Sequence, residues 1–406
     1  MTTTALIIGN GISGLLLALT LARKQWDVTV VSQPSSDPGD SPLICPEIVM
    51  DFLEELIPGS RSDFIKLGAR HSSHEEMIRE KFPHALPEKK GEFFFMGRKL
   101  LIDYLYRHAM KAGIIFCEEN TASLMTNENK VIGISTENKN ITANYVFDCT
   151  GTFRSRSAWL KGLVRTGEIV QSSGREEVMF LRFYESSQLP HLRLRSGEEF
   201  RGGIYPMEGN RFAVSMIVPA QNVPQNPETI LNRFISFIGG EVDFKGSTPS
   251  GNWIKRDHII NRASNFYLSG LTSELQNFYV VGDGLLFSNP VYGRGISLTV
   301  LQLRSIRSPE TLATDLKSGF RNALKKWSEV AKEKNSVAHK ILRKYYLYLL
   351  ERDPVTYELF LEFYQLRMTP VELLKGILLS PVSLRILILL VLILSGLTWA
   401  SAFFPR

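Results

Sequence analysis

The sequence predicts an α/β protein with a parallel sheet in its first part and an inserted antiparallel sheet in its middle. Three observations support this fold class. A glycine-rich turn joins the apolar strand Ala5–Ile8 to an apolar helix. Between Glu176 and Val218, apolar and polar residues alternate with a period of two, which is typical of a half-buried antiparallel sheet. A buried strand that ends in Gly282-Asp283 then returns to the first pattern.

Three glycines, Gly9, Gly11 and Gly14, stand at G-x-G-x-x-G spacing between the strand Ala5–Ile8 and the helix Leu15–Ala22. In this arrangement the first glycine permits a tight turn and the second lets the backbone approach a pyrophosphate. The third lets the helix pack closely against the strand. The amides and the dipole at the helix N-terminus attract the negative charge. The first part of the chain is therefore predicted to be a Rossmann-like dinucleotide-binding domain.

The second strand, Val28–Val31, ends beside Ser32 and Gln33. Dinucleotide-binding domains often carry an acidic residue at this position, where it accepts hydrogen bonds from the ribose hydroxyls. Ser32 would make a neutral hydrogen bond instead. This position therefore does not decide which dinucleotide is bound, and the choice depends on the later motifs.

A second glycine-bearing motif follows the strand that begins at Phe278. Asp283 stands at the carboxyl end of this strand, and the turn Asn289–Gly295 then opens a helix. Open α/β sheets bind ligands at this edge. The carboxylate can accept hydrogen bonds from a ribityl chain, and the helix amides can hold the electron-rich edge of a reduced flavin. The two motifs together predict that both bind one FAD molecule.

These motifs, together with Gly97-Arg98 and Phe147–Gly151, resemble those of the flavin-dependent monooxygenases with the p-hydroxybenzoate hydroxylase fold. Within that group the sequence is most similar to the bacterial flavin epoxidases and hydroxylases that include the lasalocid epoxidase. The sequence departs from the family pattern at Ser32, where an acidic residue is usual, and at Arg294, where Gln is usual. The resemblance implies that Arg98 contacts the FAD phosphates.

The resemblance also implies an activity. NADPH or NADH, or a separate reductase, would reduce FAD, and dioxygen would then form a flavin hydroperoxide that transfers one oxygen atom to a substrate. The predicted cofactor-binding residues lie in the turns or at the strand ends described above. They are Gly9, Gly11, Ile12, Ser13, Gly14, Ser32, Arg98, Gly282, Asp283, Pro290, Gly293, Gly295 and Ile296.

No catalytic acid, base or metal ligand is predicted. The stretch His71-Ser-Ser-His74 lacks a helical histidine pair and a third ligand, and is interpreted as a solvated turn rather than a metal site. Tyr205 and Met207 lie on the predicted inserted sheet, and the sequence leaves open whether they face a ligand or pack in the core. Asp148 is expected either to cap its strand or to orient cofactor or substrate.

The predicted domains are an FAD-binding domain (1–165 and 266–310), a substrate domain (166–265), a helical region (311–381) and a transmembrane helix (382–404). No charge occurs from Ile386 to Phe404, about the length that spans a bilayer. Lys375 and Arg385 precede this run and only Arg406 follows it, which places the catalytic body in the cytoplasm by the positive-inside rule. A buried C-terminal helix is the alternative interpretation.

Composition adds further limits. The net charge is +6 and no nucleic-acid recognition motif is present, so the sequence does not indicate nucleic-acid binding. Three widely spaced cysteines predict neither a disulfide framework nor a zinc site. Because the tail would hold the enzyme at a membrane, a small lipophilic substrate is expected.

Alternative functions remain open. One is an FAD-dependent isoprenoid reductase, and another is a non-catalytic, membrane-anchored flavoprotein, which the departures at Ser32 and Arg294 favour slightly. A flavin halogenase shares the fold, but the sequence lacks the Trp-x-Trp-x-Ile-Pro segment of those enzymes.

Overall fold

A computed structural model describes most of the 406 residues. The described residues are 2–33, 39–85, 91–151, 169–171, 177–197, 199–239, 244, 246–256, 266–268, 275–288, 293–331, 349, 352–367 and 370–379. The chain forms two compact units. The first comprises Met1–His71 and Phe93–Glu333, and the second comprises Ser72–Glu92 and Lys334–Arg406.

Strands and helices are numbered separately in chain order. The strands are β1 Thr4–Ile8, β2 Asp27–Ser32, β3 Pro42–Pro46, β4 Arg70–Ser73, β5 Glu92–Gly97, β6 Ile115–Glu118, β7 Thr121–Asn127, β8 Lys130–Thr136, β9 Asn140–Thr142, β10 Tyr145–Asp148, β11 Ile169–Gln171, β12 Glu177–Glu185, β13 Arg193–Ser196, β14 Arg201–Pro206, β15 Arg211–Pro219, β16 Thr248–Arg256, β17 Phe266–Leu268, β18 Phe278–Val280 and β19 Leu286–Phe287. The helices are α1 Ile12–Arg23, α2 Glu47–Leu56, α3 Ser60–Lys66, α4 His74–Lys81, α5 Arg98–Lys111, α6 Glu228–Ile238, α7 Gly295–Leu303, α8 Leu312–Ala331, α9 Pro354–Tyr364 and α10 Pro370–Leu379. Short 3-10 helices span Ala220–Asn222 and Gly282–Gly284.

The centre of the first unit is a parallel sheet of five strands in the order β18-β10-β1-β2-β6. Ala5 and Ile7 of β1 belong to the hydrophobic core that also contains residues of α1, α2 and α5. Leu6 and Ile8 belong to a second core, shared with Val131 of the antiparallel meander β7-β8-β9. The sheet is therefore covered on both faces, as expected for buried parallel strands, and the predicted α/β class is confirmed.

The predicted antiparallel sheet is present between β12 and β16, with the strand order β13-β14-β15-β12-β16. One face packs against α6, because Phe234 and Ile238 of this helix share a core with Val178 and Phe180 of β12. The other face carries Leu181, with Met207 and Ala213 of the neighbouring β14–β15 hairpin. Residues on the two faces alternate along each strand, as the period-two pattern requires.

The segment from β3 to α5 differs from the prediction in two places. β3 follows the polar turn after β2 and pairs with β5, although no strand was predicted there. Helix α5 begins at Arg98, whereas the sequence pattern predicts a helix from Ile102 to Ala112. The main-chain N–H groups of Gly97 and Lys99 donate to carboxylates of Glu208 and Asp40, far along the chain. Distant caps therefore start this helix early.

In the second unit the interpretation of His71–His74 as a solvated turn is wrong for His74. Ser73 caps α4 in a capping box with Glu76, and the His74 side chain is fully buried. The Gln365 amide nitrogen lies 2.5 Å from His74 Nε2. Within the described residues, no group of three His, Cys, Asp or Glu side chains could hold a metal ion.

The predicted transmembrane helix, 382–404, lies outside the described residues. Of the helices in the part of the chain that the structure describes, none combines the length and apolar character needed to cross a membrane.

Candidate functional site

The first glycine turn joins β1 to α1 at the carboxyl edge of the parallel sheet. Gly9 has φ +108°, and a Cβ atom there would lie 2.8 Å from the Cys149 carbonyl oxygen. A Cβ atom on Gly14 would overlap the carbonyl oxygen of Gly9. These two glycines are therefore required by close packing between α1, β1 and the segment after β10, as their spacing predicts.

Gly11 has different surroundings, because no atom lies within 4 Å of the position that a Cβ would occupy. It is the N-cap residue of α1, with φ −70°, and it has no side chain to bond the first amides of the helix. The N–H groups of Ile12 and Ser13 have no acceptor within the helix, since they belong to its first turn. An open space therefore adjoins a helix N-terminus, an arrangement that suits an anionic ligand.

The second motif packs directly against this turn. Gly282 has φ +73°, and a Cβ there would lie 2.7 Å from the Cβ of Ser13. Ser13 Oγ is 3.3 Å from Thr299 Oγ1 of α7, and the Gly282 N–H donates to Gln302 Oε1 at 3.0 Å. The two glycine-bearing motifs, whose contacting residues Ser13 and Thr299 are 286 residues apart in sequence, therefore meet at one edge of the sheet.

Asp283 and Arg98 place opposite charges in an enclosed part of this edge. Burial raises the pKa of Asp283 to about 6, and the charge of Arg98 opposes this rise. Burial lowers the pKa of the Arg98 guanidinium, against the attraction of Asp283 and Asp40. Both side chains nevertheless keep part of their surface accessible. Opposite charges that are desolvated yet partly accessible mark this edge of the sheet as a candidate ligand-binding cleft.

Among the other predicted site residues, a contact places Gly295 beside Asp283. Gly295, at the start of α7, would bring a Cβ to 3.3 Å from Asp283 Oδ1. Gly293 has φ +59°, and Ile296 packs against the main core. Ser32 ends β2, beside the strand that leads into the Gly9 turn. Pro290 lies outside the described residues.

Two polar groups that the sequence left ambiguous are deeply buried. Asp148, at the end of β10, accepts hydrogen bonds from the N–H and the hydroxyl of Thr150. Burial raises the pKa of Asp148. Capping by Asp148 is thus observed. Arg294, the residue that departs from the family pattern, is 4% exposed and is the N-cap residue of α7.

An ion-pair network that the sequence did not reveal connects the antiparallel sheet to this cleft. Arg211 Nη2 lies 2.7 Å from both Asp40 Oδ2 and Glu208 Oε1. The two carboxylates in turn accept from Lys99 N and Gly97 N at the start of α5, beside Arg98. No local pattern predicts such contacts, because the partners are separated by up to 171 residues.

Comparison with known proteins supports the fold. No protein-family model matches the sequence, and no curated protein is significantly similar to it. The flavin-dependent brominase Bmp2 has a TM-score of 0.65 and 15% identity, with 93% of this chain and 98% of that chain covered. The chain has the fold shared by flavin-dependent halogenases and monooxygenases.

Two further solved structures agree with this assignment. Xcc4156, a flavin-dependent halogenase from Xanthomonas campestris, has a TM-score of 0.61 and 14% identity, covering 92% of this chain and 83% of that chain. The oxygenase of 2-methyl-3-hydroxypyridine-5-carboxylic acid has a TM-score of 0.59 and 14% identity, covering 87% of this chain and 93% of that chain. The predicted resemblance is thereby confirmed at the level of the fold.

Proposed function

We propose that this chain is an FAD-dependent monooxygenase, a hydroxylase or epoxidase, that acts on a small lipophilic molecule. The observation that carries the proposal is the packing of Gly282 against Ser13. This contact brings the open helix N-terminus at Gly11 and the carboxylate of Asp283 to one cleft. The solved structures with the same fold include enzymes described as flavin-dependent, which supports the same cofactor here.

The residues of the cleft match the chemical groups of FAD. The space next to Gly11 would accept the pyrophosphate, because a Cβ would fill it and the α1 amides point to it. Ser32 would contact the adenosine ribose, and Arg98 would add a positive charge for the phosphates. Asp283 would accept from the ribityl hydroxyls, and the turn from Gly293 to Ile296 would present its amides to the flavin ring. Pro290 is proposed to contribute to FAD binding as well.

Bound FAD would supply the activation of dioxygen, with electrons from NADPH, NADH or a separate reductase. The protein would contribute binding, orientation and the exclusion of water. The desolvated Asp283 and Arg98 are consistent with a site that water enters poorly. This explains why the proposal requires no catalytic dyad.

An absorbance spectrum of the purified protein, followed by anaerobic addition of NADPH and then NADH, tests the proposal. We expect a flavin spectrum with the protein and bleaching of the flavin band by one of the two nucleotides or by an added reductase. A colourless preparation that does not bind added FAD would contradict FAD binding.

Oxygen consumption separates the monooxygenase from the alternatives. A monooxygenase consumes dioxygen in proportion to the product that it forms, whereas an isoprenoid reductase forms product without consuming dioxygen. The protein could bind FAD and still reoxidise its reduced flavin no faster than free flavin, whichever reductant is used. This result would favour a non-catalytic flavoprotein. Product formation that requires bromide or chloride would favour a halogenase.

The membrane tether is a separate part of the proposal, supported by the uncharged run Ile386–Phe404. We expect the full chain to stay with the membrane fraction after an alkaline carbonate wash. A chain that ends at Ser380 should move to the soluble fraction and keep its FAD. Recovery of the full chain in the soluble fraction would contradict both the tether and the lipophilic substrate that it suggests.

A further inference from the structure

Helix α8 carries a line of basic side chains on its solvent side. Lys317, Arg321 and Lys325 are all exposed and follow one another at intervals of four residues. Residues at this spacing lie along one side of a helix, and this line is about 12 Å long. We call these three residues the basic stripe.

The opposite side of α8 packs into the protein. Leu312 and Ala323 are fully buried, and Leu312 and Leu316 belong to the main hydrophobic core of the first unit. Each residue turns the helix by about 100°, so Leu312 and Ala323 lie roughly opposite Arg321. Packing of the apolar side therefore fixes the direction in which α8 presents the basic stripe.

The exposed side of α8 carries no acidic residue as far as Lys325. Asp315 is 2% exposed and accepts hydrogen bonds from Arg307 and Thr311, so it does not offset the basic stripe. The next acidic residue of the helix is Glu329, four residues beyond Lys325. The other exposed residues between 312 and 325 are uncharged, namely Ala313, Thr314, Ser318 and Asn322.

Exposed basic residues on other helices are paired with carboxylates. Arg79 of α4 lies 2.9 Å from Glu75, and Lys99 of α5 lies 3.3 Å from Asp103, each one turn away. Such pairs are typical of a helix surface that only faces water. Among the described residues, no ion pair involves the basic stripe. Its three positive charges are therefore available to an anionic partner.

The chemistry of this surface favours lipid headgroups as that partner. The centres of protein–protein interfaces are rich in aromatic residues and poor in lysine, whereas α8 exposes no large apolar side chain along its described part. Surfaces that bind nucleic acid combine basic residues with stacking aromatics or a recognition motif. Anionic headgroups need neither, because each basic residue near the membrane surface adds to the attraction by its charge.

We propose that the basic stripe of α8 binds the anionic headgroups of a lipid membrane. The contact is electrostatic and inserts no apolar side chain into the bilayer. It goes beyond the proposed chemistry and adds a second contact to the proposed membrane tether, from a different part of the chain.

The test measures how fast a water-soluble amine reagent, sulfosuccinimidyl acetate, modifies individual lysines of the full chain, as read by mass spectrometry. The chain is mixed in neutral detergent with excess lipid nanodiscs, and the detergent is then removed. The discs contain phosphatidylcholine alone or with about one-third phosphatidylglycerol. We expect Lys317 and Lys325 to react at least about 3-fold more slowly with the anionic discs. Lys66 of α3, whose side chain is 74% exposed, should react equally with both.

Salt and two arginine variants show whether the protection depends on the basic stripe. The protection should vanish at about 0.5 M NaCl, because salt screens the attraction. Arg321→Gln removes the central charge and should reduce the protection of Lys317 and Lys325 to less than about half. Arg70→Gln is the matched control, since it removes an exposed arginine from β4 and should leave the protection unchanged. Melting temperature and FAD content check that both variants are folded.

Equal reaction of Lys317 and Lys325 with neutral and anionic discs, or equal effects of the two arginine variants, would overturn the assignment. The same protection by soluble glycerol phosphate or by duplex DNA, added with neutral discs, would also overturn it, because the surface would then bind phosphate or nucleic acid.

Co-elution of the full chain with neutral discs reports separately on the proposed tether. A chain that enters neutral discs, but whose Lys317 and Lys325 are not protected by anionic ones, would retain the tether and refute the basic stripe as a lipid site. A chain that stays out of neutral discs, but is protected by anionic ones, would do the reverse.

Discussion

Gly11 and Gly14 belong to the same motif but differ in what a methyl group at each would meet. A Cβ on Gly14 overlaps the main chain of Gly9, whereas a Cβ on Gly11 meets no atom within 4 Å. The first glycine motif therefore separates into residues needed for packing and one residue, Gly11, whose space is open to a ligand. Substitutions at the two positions should affect stability and binding differently.

We expect Gly11→Ala to change the free energy of unfolding by less than about 1 kcal/mol, since φ −70° suits alanine. FAD affinity should fall on the order of tenfold, because the methyl group would occupy the pyrophosphate space. Gly14→Ala should instead lower stability by about 1–3 kcal/mol through overpacking. Urea unfolding of the FAD-free protein and FAD titration measure the two effects. Unchanged FAD affinity in Gly11→Ala would contradict the assignment.

The burial of Asp283 predicts how the free energy of unfolding depends on pH. Its pKa is raised to about 6 from 3.8. The folded state therefore binds the proton more tightly than the unfolded state. Stability from this group is fully present below about pH 4 and is lost as the pH rises through about 6. Asn cannot ionise, so it avoids this loss.

We therefore expect FAD-free Asp283→Asn to gain stability relative to wild type between pH 4 and pH 7, by about 2 kcal/mol. Urea unfolding of both proteins across this range measures the difference. FAD affinity of the variant should fall at every pH, because an amide accepts fewer hydrogen bonds than a carboxylate. A difference in stability that stays constant with pH would show that Asp283 does not titrate in this window.

At the scale of elements, α5 depends on the antiparallel sheet for its first turn. Asp40 and Glu208 supply the acceptors for its first N–H groups, and Arg211 holds both carboxylates in place. These residues come from three separate segments of the chain. The network therefore connects the β14–β15 hairpin to the helix that begins with Arg98.

Removing the cation of this network should loosen both elements. We expect Arg211→Gln to lower the free energy of unfolding by about 1–2 kcal/mol, since it leaves two carboxylates, which are less than one-fifth exposed, uncompensated. Arg233→Gln is the control, because its pair with Glu199 is exposed and should contribute less than about 0.5 kcal/mol. Urea unfolding compares them. Equal losses in the two variants would contradict a stabilising role for the network.

The accuracy with which the sequence predicts the strands and helices differs from element to element. β1, α1 and β2 were predicted within a few residues, because apolar periodicity and the glycine spacing act locally. The start of α5 at Arg98 was missed, since its caps come from distant carboxylates. Helix α4 was also missed, although Ser73 and Glu76 form a Ser-x-x-Glu capping box that the sequence itself contains.

At the scale of the whole molecule, the second unit carries its own buried titratable group. Burial, and secondarily the charge of Arg367, lower the pKa of His74 to about 4. The amide of Gln365 can donate to Nε2 of the neutral ring. Because the folded pKa lies below 6.5, this group favours folding above that pH and the contribution is lost as the pH falls toward 4.

We expect amide hydrogen exchange in Pro354–Tyr364 to become faster, after correction for the intrinsic rate, as the pH falls from 7 to 5. In His74→Gln, which does not titrate, the corrected exchange should change less over the same range. The two units would then depend on pH in opposite directions between 4 and 6, since Asp283 favours folding at the acidic end. The same pH dependence in wild type and His74→Gln would contradict the role of His74.

The sequence alone determined the fold class and the glycines of the cofactor motifs, because strand-turn-helix geometry and apolar periodicity arise from neighbouring residues. Only the tertiary structure decided that Gly282 contacts Ser13, that Arg211 joins Asp40 to Glu208, and that Tyr205 points away from α6. These relations depend on strand order and on which face of a sheet is covered. Such features emerge when segments far apart in the chain pack together and exclude water.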